Sequence, residues 1–213
     1  MRVAIVDFGS GNLRSAARAL ERAARDAALA CAVEVTADAA AVAAADRIVL
    51  PGDGAFADCR RGLEALPGMV EALALAVQRR GVPFLGICVG MQLLATRGTE
   101  HGVTPGLDWI AGECVRLAPA DPLLKVPHMG WSSIRPTRDH PLLADLAPRS
   151  RFYFVHSFHA VCADPADRLA AADYGIEFSA MISRGPVVGA QFHPEKSHRF
   201  GMAMLSRFAG LSP

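Results

Sequence analysis

The pattern of apolar and polar positions divides the chain into two unlike halves. Up to about residue 106, short apolar runs alternate with stretches of helical spacing. Residues 3–6, 32–35, 47–50 and 82–87 are short runs bounded by Gly, Pro or charged residues, and they predict strands. Between them, Leu13, Ala16, Ala17 and Leu20 fall along one helical face, with Ser10 or Asn12 placed to cap it. Residues 39–45 predict a short helix. Residues 69–78 predict a longer one, approached through 62–67, and residues 91–95 predict the start of another. Strands alternating with helices predict a parallel, doubly wound sheet, with its site at the carboxyl ends of the strands.

Beyond residue 106 the rhythm changes. Residues 113–117, 130–134, 152–155, 159–162, 168–171 and 178–182 are short strand candidates between Pro, Gly and Asp turns, with no long helix among them. They predict antiparallel additions to the same sheet and around it. A further apolar strand is expected over 187–192 and a closing helix over 200–208. No repeat, low-complexity tract or linker interrupts the pattern. The expectation is therefore one α/β domain over 1–213, a mostly parallel doubly wound sheet flanked by helices, with antiparallel strands in the second half.

Composition narrows the function. The chain has 213 residues, with 22 Lys+Arg against 21 Asp+Glu, which argues against nucleic-acid or membrane binding driven by net charge. No apolar run approaches the ~20 residues of a membrane span, and Asp7 comes too early for a secretory signal. The five cysteines, Cys31, Cys59, Cys88, Cys114 and Cys162, are odd in number and form no C-x-x-C. A disulfide framework or structural zinc is not expected, and a reducing, cytoplasmic setting is. Histidine spacing offers no metal site, and no cofactor is expected. The turn Gly9-Ser10-Gly11 precedes a helix as in dinucleotide sites, but Arg14 stands where the third glycine belongs. A loop facing a partner or an active site fits better.

Candidate chemistry gathers at strand ends. Gly86, Cys88 and Gly90 form G-x-C-x-G where a strand meets a helix, the logic of a nucleophile elbow. A thiol at a helix N-terminus is biased toward the reactive thiolate. His193 also follows an apolar strand, with Glu195 two residues on, past Pro194. A histidine base oriented by a carboxylate completes a nucleophile–base–orienter set. Pro51-Gly52-Asp53-Gly54 can turn backbone N–H groups inward, as a developing oxyanion requires. Taken singly, each has a plainer reading: a buried strand-end cysteine, a structural histidine, an ordinary turn.

Taken together, these motifs carry a resemblance. L-G-I-C-V-G-M-Q at 85–92 with Q-F-H-P-E at 191–195 resembles the class I, triad-type glutamine amidotransferases, a flavodoxin-like fold. The segments at 6–15 (V-D-F-G-S-G-N-L-R-S), 50–56 (L-P-G-D-G-A-F), 125–131 (K-V-P-H-M-G-W), 152–158 (F-Y-F-V-H-S-F) and 193–197 (H-P-E-K-S) resemble, within that family, the glutaminase subunits of imidazole glycerol phosphate synthases. The resemblance covers essentially the whole chain. It implies Cys88 as nucleophile, His193 as acid and base, and Glu195 as its orienter. It implies an oxyanion hole at Gly52, Asp53 and Val89, and L-glutamine held by Gln92, Glu100, Ser157 and Phe158. It further implies a (β/α)8-barrel cyclase partner in histidine biosynthesis, met through Asn12, Met129, Trp131, Tyr153 and Lys196.

Three residues depart from the family pattern. Asp53 stands where an apolar residue is usual, Ser132 where asparagine is common, and Phe158 where tyrosine is usual. A carboxylate aimed at an oxyanion would oppose it, so Asp53 is expected to point away or be neutralised. The alternatives are a glutaminase serving a purine, chorismate or pyridoxal-precursor acceptor, a cysteine hydrolase or protease on a similar sheet, and a binding module in which Cys88 is only core.

Overall fold

A computed structural model describes residues 1–147 and 150–211. The first half runs β1 (Arg2–Val6), α1 (Leu13–Asp26), β2 (Ala32–Thr36), α2 (Ala39–Ala43), β3 (Arg47–Gly52), α3 (Phe56–Glu64), α4 (Met69–Ala74), β4 (Phe84–Cys88) and the single turn α5 (Val89–Gln92). A wider π-type turn over Leu75–Arg79 prolongs α4. The second half runs β5 (Arg97–Gly98), β6 (Thr104–Pro105), β7 (Gly112–Arg116), β8 (His128–Ser133), β9 (Arg135–Pro136), β10 (Arg151–His156), β11 (Phe158–Cys162), β12 (Arg168–Asp173), β13 (Glu177–Arg184), β14 (Val187–Ala190) and α6 (His198–Gly210).

The main sheet has the order β2-β1-β3-β4-β14-β13-β12-β9. The five strands from β2 to β14 are parallel, and β13, β12 and β9 continue it antiparallel. Every residue of β3, β4 and β14 is buried, as continuous apolar runs require when helices cover both faces. Two smaller sheets, β10-β8 and β11-β7-β5-β6, stand beside it.

Two helix expectations need correction. α3 falls where no helix was expected, although Phe56, Cys59 and Leu63 are its buried face. The helix expected to begin at 91–95 instead spans only Val89–Gln92. Beyond it, the carbonyls of Leu93, Leu94 and Ala95 accept from the amides of Leu107, Trp109 and Asp108. Those long-range bonds take the acceptors that a further helical turn would use.

Three neighbouring parallel strands, β3, β4 and β14, end at the same edge. Gly52 pairs with Cys88, and Ile87 with Ala190. This edge is the carboxyl edge where ligands bind in open α/β sheets.

Candidate active site

Close packing builds the Cys88 wall. Cys88, the last residue of β4 and the one before α5, sits at φ +54°, ψ −112°. That backbone is strained for a side chain with a Cβ, and such strain costs about 1–3 kcal/mol. The glycines on either side permit the turn. A Cβ on Gly90 would lie 1.8 Å from the Leu50 carbonyl oxygen, and one on Gly86 2.5 Å from that of Gly90. The Cys88 side chain is buried within 3.9 Å of the Val155 carbonyl and 3.8 Å of Gln191 Nε2.

His193 lies three residues beyond the end of β14 and is clamped by backbone. Its N–H donates to the Tyr153 carbonyl at 2.9 Å, and its carbonyl accepts from Ser197 Oγ at 2.6 Å. Ser197 Oγ in turn accepts from the Tyr153 N–H at 3.0 Å. His193 Nδ1 lies 2.8 Å from Glu195 Oε1, with the two side chains 7% and 3% exposed. His193 Nε2 is buried with no nitrogen or oxygen partner among the described residues, and the Cys88 side chain is the group that it interacts with. Burial opposes the charge on His193. Cys88 and Glu195 together outweigh it and raise the pKa to about 9. The three side chains thus favour an imidazolium at neutral pH.

The opposite wall is looser. Asp53 is exposed and turns away from the site, its Oδ1 accepting from the Gly11 N–H at 3.0 Å. Its own N–H donates to Ser10 Oγ at 2.9 Å, and its carbonyl accepts from Ser10 Oγ at 2.6 Å and Cys59 Sγ at 3.1 Å. In this conformation the Asp53 amide is therefore engaged and does not face a developing oxyanion. Gly52 is buried, and a Cβ there would meet the Gly90 nitrogen at 2.9 Å. Val89 supplies the first amide of α5, one of those a helix leaves without an intrahelical partner.

Between the walls lies a cavity of about 310 Å³, bordered by Asp53, Cys88, Val89, Gln92, Glu100, Ser157, Phe158, His193 and Lys196. Gln92 donates through Nε2 to the Phe158 carbonyl at 2.9 Å and to Gln191 Oε1 at 3.1 Å. Glu100 accepts the Phe56 amide at 2.8 Å, so it caps α3 with one carboxylate oxygen while bordering the cavity. Lys196, expected at a partner surface, also stands on the cavity wall.

Asn12, Met129, Trp131 and Tyr153 lie outside the cavity. Asn12 Oδ1 accepts the Ser15 amide at 3.4 Å and caps α1. Met129 and Trp131 are 63% and 41% exposed on β8. Tyr153 stands opposite Trp131 on β10, with ring centroids 5.7 Å apart, and His198 stacks on Trp131 at 5.0 Å. His128 and His156 occupy the other, buried face of this ribbon, with His128 Nδ1 and His156 Nε2 3.1 Å apart.

Three contributing residues were not singled out from the sequence: Ser10, Gln191 and Ser197. Gln191 and Ser197 flank the triad motif, and a polar residue ending an apolar strand was a signal for the first. No sequence signal joins Ser10 to Asp53, which are distant along the chain.

Residues 4–210 match the family model described as glutamine amidotransferase class-I. The chain is 57% identical to the imidazole glycerol phosphate synthase subunit HisH of Rhodospirillum rubrum, with 100% of both chains covered. It is 54% identical to the protein of that name from Rhodopseudomonas palustris, again over 100% of both. A crystal structure described as a glutamine amidotransferase superposes with a TM-score of 0.69 at 16% identity, covering 98% of this chain and 99% of the other, and shows the shared fold.

Proposed function

The chain belongs to the class I glutamine amidotransferase family, and from that premise we propose that it is the glutaminase subunit of an imidazole glycerol phosphate synthase, acting in histidine biosynthesis. The observation that carries the mechanism is the convergence of Cys88, His193 and Glu195 on one sheet edge, with His193 Nδ1 2.8 Å from Glu195 and Nε2 without a nitrogen or oxygen partner among the described residues.

In this mechanism the Cys88 thiolate attacks the side-chain amide carbon of L-glutamine. The carbonyl electron pair moves onto oxygen and is stabilised by the Val89 amide and, once Asp53 is released from Ser10, by the Gly52–Asp53 segment. His193 gives its proton to the departing nitrogen as the C–N bond breaks, leaving a γ-glutamyl thioester and ammonia. The neutral His193 then takes a proton from water, hydroxide adds to the thioester, and glutamate leaves as the thiolate returns. Glu195 holds the imidazole in one orientation and stabilises its charge. The free oxygen of Glu100 suits the substrate ammonium. Gln92, Ser157 and Phe158 complete the substrate pocket.

Residues 1–213 act as one domain. Ammonia passes to a (β/α)8-barrel cyclase subunit that docks on Asn12, Met129, Trp131, Tyr153 and Lys196. The exposure of Met129 and Trp131 beside the aromatic Tyr153 supports that surface. No helix among the described residues is long and apolar enough to cross a membrane, which is compatible with a cytoplasmic site of action.

The test is a glutaminase assay with and without the cyclase subunit and its ribonucleotide ligand. Turnover is expected to be low for the isolated chain and strongly raised by the loaded partner. Full turnover without the partner would overturn the coupling.

A further inference from the structure

Gln191 is fully buried at the end of β14, between two groups of the site that have different needs. On one side, its Oε1 accepts from Gln92 Nε2 at 3.1 Å. On the other, its Nε2 lies 3.8 Å from Cys88 Sγ. A primary amide without partners costs several kcal/mol to bury, so both contacts constrain it.

The direction of every bond around Gln191 is fixed by the Phe158 carbonyl, which can only accept. Gln92 Nε2 donates to it at 2.9 Å, and His156 Nδ1 lies at the same distance, 2.9 Å. His156 Nδ1 must therefore carry the proton, and its Nε2 accepts from His128 Nδ1 at 3.1 Å. His128 Nε2 is then an acceptor, facing Ser132 Oγ at 3.0 Å. On the other branch, the remaining Gln92 proton goes to Gln191 Oε1. Only the Gln191 NH2 is left to point at sulfur. A flipped Gln191 amide would set two donors against each other at Gln92 and a carbonyl against the sulfur.

We propose that Gln191 is a positioning residue that holds and stabilises the Cys88 thiolate, and that it is oriented by the Phe158 carbonyl acting through Gln92. The proposal rests on the reading of Cys88 as the nucleophile. Burial keeps His128 and His156 neutral, as the single proton that each shares along this ribbon requires, lowering His128 to about 4 and His156 to about 3. The other ionisable groups around Cys88 are His193, Glu100, His156 and Lys196 on the cavity, with Cys59 and Cys114 behind it. His193 also interacts with the sulfur, from beyond the end of β14, and Asp53 borders the cavity with its carboxylate turned to Gly11.

The test measures the rate of Cys88 alkylation by iodoacetamide against pH in the full chain, for the unsubstituted protein, Gln191→Met and Gln191→Glu. Glutamine kcat and KM are measured with the cyclase subunit bound. Loss of a donor to the thiolate in Gln191→Met is expected to move the alkylation midpoint up by about one pH unit, with kcat down about tenfold and KM within about twofold. Gln191→Glu keeps the shape and the acceptor for Gln92 but sets a carboxylate beside sulfur, so its shift is expected to be larger in the same direction. In the unsubstituted protein, the Gln191 side-chain NH2 resonances should shift as Cys88 ionises and stay still in Cys88→Ala, a readout that needs no Gln191 variant to fold. Unchanged midpoints in the folded Gln191 variants, or NH2 resonances blind to Cys88, would overturn the proposal. If Cys88→Ala still hydrolyses glutamine, the nucleophile assignment fails instead, whatever Gln191 does.

Discussion

The two walls of the cavity are held by different physics. Around Cys88, backbone packs on backbone: Gly86 and Gly90 leave no room for a methyl group, and the thiol sits on a dihedral pair that the surrounding strands impose. Across from it, the exposed Asp53 is tied back by Ser10 and Gly11. Each such hydrogen bond contributes about 1 kcal/mol net, whereas forcing a side chain into the Gly90 contact would cost more than that. In the proposed mechanism the Cys88 nucleophile and the Val89 amide are therefore fixed by the packing of the fold, while the Asp53 amide is held only by exchangeable hydrogen bonds. A reaction that must wait for an acceptor needs this asymmetry.

The comparison can be broken first at the nucleophile. Cys88→Ala is expected to lower glutamine turnover by at least about 10⁴-fold with an intact circular dichroism spectrum, because no other cysteine among the described residues borders the cavity. His193→Ala should cost about 10²–10⁴-fold in kcat in the same assay. Gly90→Ala tests the rigid wall as structure. Its Cβ has no space beside the Leu50 carbonyl, so urea denaturation should show a loss of about 3 kcal/mol or more, with activity lost as well.

Smaller effects probe charge and the loose wall. His193, at about 9, lies above the 6.5 of an unperturbed histidine. Its contribution to stability is complete below pH 6.5 and is lost as the pH rises through 9. His128 and His156 have the opposite sign. Their contribution is complete above 6.5 and is lost as the pH falls toward about 4 for His128 and about 3 for His156. Melting temperature should therefore fall on both sides of neutrality, and Glu195→Gln should flatten only the alkaline limb. Ser10→Ala frees the Asp53 amide by removing both hydrogen bonds that the Ser10 hydroxyl makes with the Asp53 backbone, and should raise glutaminase activity of the isolated chain about fivefold. No rise there would show that the Ser10 contact does not restrain the loop.

Most of the rigid wall was legible in the sequence, and little of the loose one was. The strands bearing Cys88 and His193 announce themselves as continuous apolar runs, and glycine spacing marks the elbow. α3 was missed because its start signal is not local. Ala55 offers no capping side chain, and Glu100 supplies the acceptor from 44 residues away. α5 was expected too late and without an end because the bonds that stop it come from residues 107–109. Asp53 could be flagged as out of place beside an oxyanion, but only the fold brings Ser10 to it. Gln191 belongs to the Q-F-H-P-E motif, but its role is not legible there, since the sulfur, Gln92 and a carbonyl on β11 meet only in three dimensions.

The β8–β10 ribbon restricts how this chain can change length over evolutionary time. Tyr153 contributes its ring to the outer face and its N–H and carbonyl to the segment that fixes His193, while Phe152, Phe154 and His156 fill the interior. Deleting or inserting one residue within β10 would invert that parity. A tyrosine would enter the core, phenylalanines would face solvent, and His193 would lose its anchor in the same step. Homologues are thus expected to vary in length outside this strand, and never within it.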